Sequence, residues 1–226
     1  MLNRSNAQTT VTIDFETVND GYSASGSYGA GFTDLFNRTN ADLPGTTSED
    51  GFFWGAEDLN VGVWEIDLDP IDVTGASEFT FSIDMLAHHF EDWDDNDELL
   101  IIYSTNCGSS YQNLMWVQMV PTDAFNGPAA VDIAFDGEGD CGGTTTLPAL
   151  TTGTQHGCTV SSSDFQTFST SSMALSGVTT LDIRLAFINL TSNDEGIYID
   201  NIEIEHNGGV SSCSFSSLTL SNVACN

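Results

Sequence analysis

The sequence predicts an all-β protein, an antiparallel two-sheet β-sandwich of the jelly-roll type. Three observations lead there. Apolar and polar residues alternate with a period of two in many short stretches, which buries one face of a strand and wets the other. Gly, Ser, Thr, Asn and Asp cluster between those stretches, as they do at turns. No stretch shows a 3.6-residue apolar period with helix caps. Many short strands joined by such turns pack as two antiparallel sheets.

The clearest strand is Phe79, Phe81, Ile83 and Met85, alternating with Thr80, Ser82 and Asp84. Leu181, Ile183, Leu185 and Phe187 alternate in the same way with Asp182, Arg184 and Ala186. Further strands are expected at Val11–Glu16, Phe52–Glu57, Val63–Leu68, Glu98–Tyr103, Leu114–Val120, Val131–Phe135, Asp164–Ser169 and Gly196–Glu205. Within the last of these the phase shifts. Ile197 and Ile199 share one parity, Ile202 and Ile204 the other. A one-residue bulge near Asp200-Asn201 reconciles them and re-aims a side chain.

The charge balance is extreme. Thirty-three Asp and Glu face three basic residues, Arg4, Arg38 and Arg184, with no lysine, for a formal charge of -30 over 226 residues. Nucleic acid and anionic membranes are polyanions that need Lys and Arg to neutralise them, so both are excluded as partners. Membrane insertion is not expected either, because no apolar run approaches the ~20 residues of a spanning helix. The acids are scattered through apolar segments, whereas an acidic disordered tail carries them in blocks. A carboxylate shell of this density fits a saline, halophilic setting, where screening shortens charge repulsion to about 3 Å at 1 M salt.

Five cysteines in such a chain point to an oxidising, extracellular location. None forms a Cys-x-x-Cys pair, which argues against zinc and thioredoxin-like chemistry. The expected disulfides are Cys141–Cys158, bracketing a Gly/Thr-rich loop, and Cys213–Cys225, bracketing the tail; Cys107 with Cys141 is the alternative. Residues 1–8 read as a leader or the remnant of an export signal. Residues 9–207 form the sandwich, with 137–163 as a Gly/Ser/Thr-rich insertion. Residues 208–226 begin at a Gly-Gly hinge and carry an extra strand. That strand is expected to begin a further module, the alternatives being that it packs back on the sandwich or is donated to a neighbouring copy, the route to self-association.

Catalytic signatures are absent. There is no Gly-x-Ser-x-Gly elbow, no His-Glu-x-x-His helix and no Gly-rich phosphate loop. Acids are so abundant that a glycosidase-like pair carries almost no signal. Adjacent His88 and His89 point to opposite faces of a strand and cannot easily share an ion. Asn37 and Asn189 begin glycosylation-type tripeptides at a frequency chance explains.

The strongest constellation is a calcium site. Calcium takes about six to eight oxygens, mostly carboxylate and carbonyl. Glu16 ends the first strand and Asp200 sits in the last, and jelly rolls place these two strands side by side. One ion clamped between them ties the termini together. A second acidic group, Glu91 to Glu98, alternates Asp94, Asn96 and Glu98 against Asp95 and Asp97. It lacks the Gly and Glu spacing of an EF-hand, which leaves a looser calcium loop through Asp94 and Asp97, or a solvated hairpin turn. Among the aromatics, Trp54, Trp64, Trp93, Trp116, Tyr103 and Tyr111 are candidates for a platform under a sugar ring, with Trp93 in that acidic turn the one expected to be exposed.

Phe15-Glu16 near the start and Ile199-Asp200-Asn201-Ile202 near the end are the residues through which a resemblance enters. With Phe32–Arg38, Trp54–Asp58 and Asp97–Ile101, they resemble segments of MAM-type and carbohydrate-binding-type jelly-roll modules of secreted bacterial surface proteins, over about residues 10–206. The MAM cysteine framework is not matched. The resemblance implies a structural calcium at the early Glu and late Asp, here Glu16 and Asp200, joined by a mid-chain acid, here Asp58. It also implies a non-catalytic extracellular module of an adhesin or filament protein. The alternatives are a carbohydrate-binding module of a secreted enzyme, with a glycan as partner, or a glycoside hydrolase using an acidic pair.

Overall fold

The computed structural model describes residues 8–29, 34–40, 51–60, 62–88, 97–119, 131–134, 142–143, 164–170, 172–192 and 195–207. Among them there are fifteen strands and no helix. They form two sheets, antiparallel except where Gly142–Gly143 pairs with Gln166–Thr170. No described helix is long and apolar enough to cross a membrane.

The first sheet contains β1 (Thr9–Ile13), β3 (Leu35–Thr39), β4 (Phe53–Glu57), β7 (Glu78–His88), β11 (Gly142–Gly143), β12 (Gln166–Thr170), β13 (Met173–Ala174) and β15 (Gly196–His206). Its order is β11-β12-β7-β15-β4-β3, with β1 on β15 and β13 on β7. The second contains β2 (Tyr22–Ala24), β5 (Val63–Leu68), β6 (Ile71–Asp72), β8 (Glu98–Ser104), β9 (Gln112–Met119), β10 (Val131–Ala134) and β14 (Thr180–Ile188). Its order is β10-β9-β8-β14-β5-β2, with β6 on β14. The sandwich expected from the alternating pattern is thus observed.

The core lies between the sheets. Phe79, Phe81, Ile83 and Met85 of β7 meet Leu181, Ile183, Leu185 and Phe187 of β14 in one buried cluster. An aromatic group closes one end of it. Phe36 and Trp54 are 5.1 Å apart edge to face, and Phe15 and Tyr22 are 5.0 Å apart. Edge-to-face contacts align a ring's positive rim with its neighbour's negative face.

β15 is the central strand, because its two edges carry three neighbours. β7 runs along one edge from Gly196 to His206. The other edge is shared in tandem, by β4 at Ile197–Ile199 and by β1 at Ile202–His206. The register with β7 shifts between Asp200 and Glu203, the bulge the sequence predicts. Asn201 there has φ of 44°. First and last strands are paired, Ile13 opposite Ile202 and Thr9 opposite His206.

The outer face of the eight-stranded sheet is not wet. Leu35, Phe53, Leu86 and Tyr198 form a second buried cluster there, with Phe165 against it. This second core explains why β4 is buried at all five positions. It also explains why β3 escapes sequence reading, since Leu35 and Phe36 are both buried although they point to opposite faces. The predicted Val11–Glu16 strand is shorter than expected. It ends at Ile13, and Phe15 then takes φ of 54°.

Candidate functional site: the outer face of the seven-stranded sheet

The inward residues of the seven-stranded sheet are fixed by the core, so those of opposite parity face outward. Leu99, Ile101 and Tyr103 of β8 lie in the core, which turns Leu100 and Ile102 out. On β9, Met115 and Val117 are core and Trp116 faces out. On β14 the outward set is Asp182, Arg184, Ala186 and Ile188, and on β5 it is Val63, Glu65 and Asp67.

Register then places these side chains relative to one another. Leu100 is opposite Trp116 on one side and Ala186 on the other. Ile102 is opposite Asn113 and Arg184, and Arg184 in turn is opposite Asp67. The result is an apolar strip of Trp116, Leu100, Ile102, Ala186 and Ile188, framed by Asn113, Asp182, Arg184, Glu65 and Asp67. Ala186 is buried and the other residues of strip and frame are partly buried.

The frame is rigid on one side. Arg184 donates to both carboxylate oxygens of Asp67, at 2.6 and 3.2 Å, and to Glu65 at 2.9 Å. Its guanidinium lies 5.2 Å from the centre of the Tyr111 ring. The Asp67 bonds, above all, hold its pKa above the ordinary arginine value. Arg184 is therefore a neutralised, fixed donor and not a free cation. Glu98, at the head of β8, has its pKa raised by burial.

Two polar atoms on this face are buried without a hydrogen-bond partner, the Nε1 of Trp116 and the Oδ2 of Asp182. A buried donor or acceptor left unpaired costs about 1–3 kcal/mol. Strand spacing and rise put the two roughly 17 Å apart across the face.

The residues expected to clamp calcium fall at three places. Glu16 lies in the turn after β1, exposed, where its Oε1 accepts the Phe52 N–H at 2.8 Å. Asp200 lies at the β15 bulge, 8% exposed, its Oδ1 accepting the Asn201 N–H at 2.8 Å. The tandem pairing of β1 and β4 sets the Glu16 turn at the gap opposite this bulge, so the expected neighbourhood of first and last strands is real. At that gap, however, a guanidinium is already present. Arg38 Nε donates to the Phe15 carbonyl, Nη2 donates to the Glu16 carbonyl at 2.5 Å, and the group stacks 3.3 Å from the Phe52 ring centre.

Asp58 is elsewhere. It follows β4 with φ of 47°, and its carboxyl is hydrogen-bonded to that of Asp34, which precedes β3 with φ of 62°. Burial, then that hydrogen bond and the charge of Asp34, raises its pKa. Two carboxyl groups in contact need a proton or a cation between them. This donor chemistry fits calcium. Among the described residues no three His, Cys, Asp or Glu side chains stand together as a metal-holding group, so Glu16, Asp58 and Asp200 are not one cluster.

Asp97 is described, buried immediately before β8. Asp94, Trp93, Cys141, Cys158, Cys213 and Cys225 lie outside the described residues, as do residues 1–7, most of 137–163, and 208–226. Cys107 is exposed and carries no disulfide among them. Sequence reasoning missed Asp34, and it counted Trp116 among the candidate aromatics while expecting Trp93 to be the exposed one. The positive φ of Asp34 is typical of Asp and Asn in turns, but nothing in its local sequence marks a partner. Trp116 sits in a run with apolar neighbours on both sides, Leu114-Met115-Trp116-Val117, which hides its outward direction.

A further feature lies at the end of the sandwich. A cavity of about 290 Å³ is lined by Val11, Ile13, Leu68, Ile71, Asp72 and His206, among others. The Nδ1 of His206 is buried there without a partner.

No family model and no curated protein matches the chain. Solved structures with similar backbones include a xylan-binding domain from Paenibacillus barcinonensis, 10% identical over 91% of this chain and 99% of that one, with a TM-score of 0.45. The K3 cleaved adhesin domain of Lys-gingipain from Porphyromonas gingivalis is 13% identical over 88% of this chain and 98% of that one, with a TM-score of 0.41. The C-terminal carbohydrate-binding module of a marine laminarinase from Zobellia galactanivorans is 12% identical over 87% and 98%, with a TM-score of 0.38. Likeness at this level concerns backbone architecture and assigns neither ligand nor role.

Proposed function

We propose that this chain is a non-catalytic extracellular binding module of the adhesin type, and that the outer face of its seven-stranded sheet holds a neutral glycan. The observation that carries this reading is Trp116, turned outward and partly exposed in an apolar strip beside Leu100. A sugar ring has an apolar C–H face that stacks on an aromatic surface and a rim of hydroxyls that donate and accept. The strip matches the first, and Asn113, Asp182 and Arg184 match the second. A polymer bearing negative charge is repelled by a chain of charge -30, and Arg184 is already neutralised by Asp67 and Glu65, so a neutral ligand fits best.

The same reading places a stabilising calcium at Asp34 and Asp58, where two carboxyl groups meet. It has no part in ligand contact, because both residues belong to the turns of the eight-stranded sheet.

Binding to a broad panel of neutral and anionic glycans tests the proposal, with calorimetry on any that is retained. Trp116→Ala is expected to weaken binding of a retained neutral glycan by about thirty-fold or more, the effect of removing a hot-spot aromatic of about 2 kcal/mol. Trp93→Ala is expected to leave it within about two-fold. Retention of no neutral glycan, or undiminished binding by Trp116→Ala, refutes the assignment of this face.

A further inference from the structure

The gap opposite the β15 bulge is where the sequence calls for a metal ion, and a cation of the chain itself already stands there. We propose that the Arg38 guanidinium is the cation of this junction and takes the place from which a divalent ion would tie the first strand to the last.

Three segments meet at the gap: the turn after β1, strand β3 and the start of β4. Arg38 projects from β3 and donates to two successive carbonyls of the turn, Phe15 and Glu16. Carbonyl oxygens in a row are the ligands a calcium ion takes from a backbone. A guanidinium serves them instead through a planar fork of N–H donors. Its face is covered by the Phe52 ring, a favourable cation–π geometry. The backbone N–H of Phe52 is in turn held by Glu16 Oε1, so the turn, the guanidinium and the start of β4 form a closed circuit. Phe15 is 1% exposed and has φ of 54°, a conformation that ordinary residues avoid. That backbone twist is held while its carbonyl meets Arg38. A metal at the same two carbonyls would lie in contact with the guanidinium charge, so the two cations exclude each other.

The junction is thus expected to resist chelators. The calcium response proposed for Asp34 and Asp58 is separate from it, and the test silences that pair first. Thermal melts of Asp58→Asn, Asp58→Asn/Arg38→Gln and the triple variant adding Glu16→Gln are compared in EDTA and in millimolar calcium. Asp58→Asn is expected to melt at the same temperature in both. Loss of two charge-assisted hydrogen bonds in Arg38→Gln is expected to lower the melting temperature by about 8–15 °C in EDTA. Calcium is then expected to restore roughly 5–10 °C, and Glu16→Gln to abolish that gain.

A calcium-dependent rise in Asp58→Asn that Glu16→Gln removes overturns the proposal, since a metal would already occupy the junction. So does an Arg38→Gln variant that melts within about 2 °C of its parent, or one that is destabilised yet gains no calcium response. Should the glutamine variant not fold, Arg38→Lys supplies the readout. A point charge reaching one carbonyl is expected to give about half the loss and no calcium gain, and an unchanged melt refutes the role of the fork. Glycan binding does not enter any of these measurements, so failure of the functional reading leaves this result intact.

Discussion

Tyr198→Phe removes one oxygen from the centre of the outer cluster on the eight-stranded sheet, and its cost follows from the surroundings. Tyr198 is fully buried and its hydroxyl donates to Glu57 Oε2; Glu57 is 2% exposed. A hydrogen bond to a buried charged group contributes about 1.5–3 kcal/mol, and its loss leaves the carboxylate less satisfied in a medium without water. At this chain length 1 kcal/mol moves the melting temperature by about 2–4 °C, so Tyr198→Phe is expected to melt roughly 4–10 °C lower. Thermal and urea denaturation followed by circular dichroism measure it, with Glu57→Gln and the double variant closing a cycle. The expected coupling is at least about 1 kcal/mol. The pH dependence has a definite sign. Burial first, then Glu57, pushes the phenol pKa far above its ordinary value. A group whose folded pKa is raised contributes stability that is present below its unfolded pKa and is lost as pH rises beyond it. The wild type therefore loses stability above about pH 10, and Tyr198→Phe lacks that part of the alkaline slope. A melting temperature within 1 °C of wild type, or an unchanged alkaline slope, would show that this face is wet and not a second core.

Two further outcomes follow from the same geometry. Gly55→Ala would set a Cβ 2.5 Å from Leu35 Cδ2 and 2.9 Å from the Tyr198 ring, both on the outer cluster; overpacking of about 1–3 kcal/mol is expected, read as a lower urea midpoint at unchanged slope. Asp58→Asn removes one of two touching carboxyls, whose raised pKa makes the wild type more stable as pH falls through that folded value. In EDTA at neutral pH the variant is expected to melt higher than wild type and to show a flatter acid limb. In millimolar calcium the order is expected to reverse, and equal calcium responses would remove the metal from this pair.

The sandwich was legible in the sequence because most of its strands are half-buried, and half-burial writes itself as alternation. β5 and β14 are the plainest cases, with Ile66 and Leu68 or Leu181, Ile183 and Leu185 turned in between polar neighbours. The bulge in β15 was legible for the same reason, since an extra residue must invert the parity of everything after it. β3 and β4 were harder: a strand covered on both faces has no alternation to show, and β3 was missed. The site was less legible still. The pairing of first and last strands, from which Glu16 and Asp200 were expected to be neighbours, is observed. Which atoms fill that neighbourhood depends on Arg38, whose approach comes from β3 across the sheet edge and leaves no local trace. Trp116 shows the converse problem. Outward direction is a property of register, and Leu114-Met115-Trp116-Val117 contains a register irregularity just before the tryptophan, between Ile101 and Ile102 of its partner strand.

The two sheet faces differ in what they leave open. The outer face of the eight-stranded sheet is closed at Leu35, Phe53, Leu86 and Tyr198, with Gly55 beneath Leu35 and Tyr198 leaving no room for even a methyl group. Opening it would expose Glu57 and break a packed cluster. Among the described residues the outer face of the seven-stranded sheet has no such closure over Leu100, Ile102 and Ile188, which stay partly exposed. An apolar strip on a surface this acidic is costly to keep wet unless something covers it. The two described arginines sharpen the contrast, because neither is spent on general solubility. Arg38 holds backbone carbonyls at the end of the first strand, and Arg184 holds two carboxylates beside the strip. A chain with no lysine and three arginines that places one of them beside its exposed apolar face has positioned a fixed donor there. Fixed donors beside an aromatic surface are what an uncharged, hydroxyl-rich ligand requires.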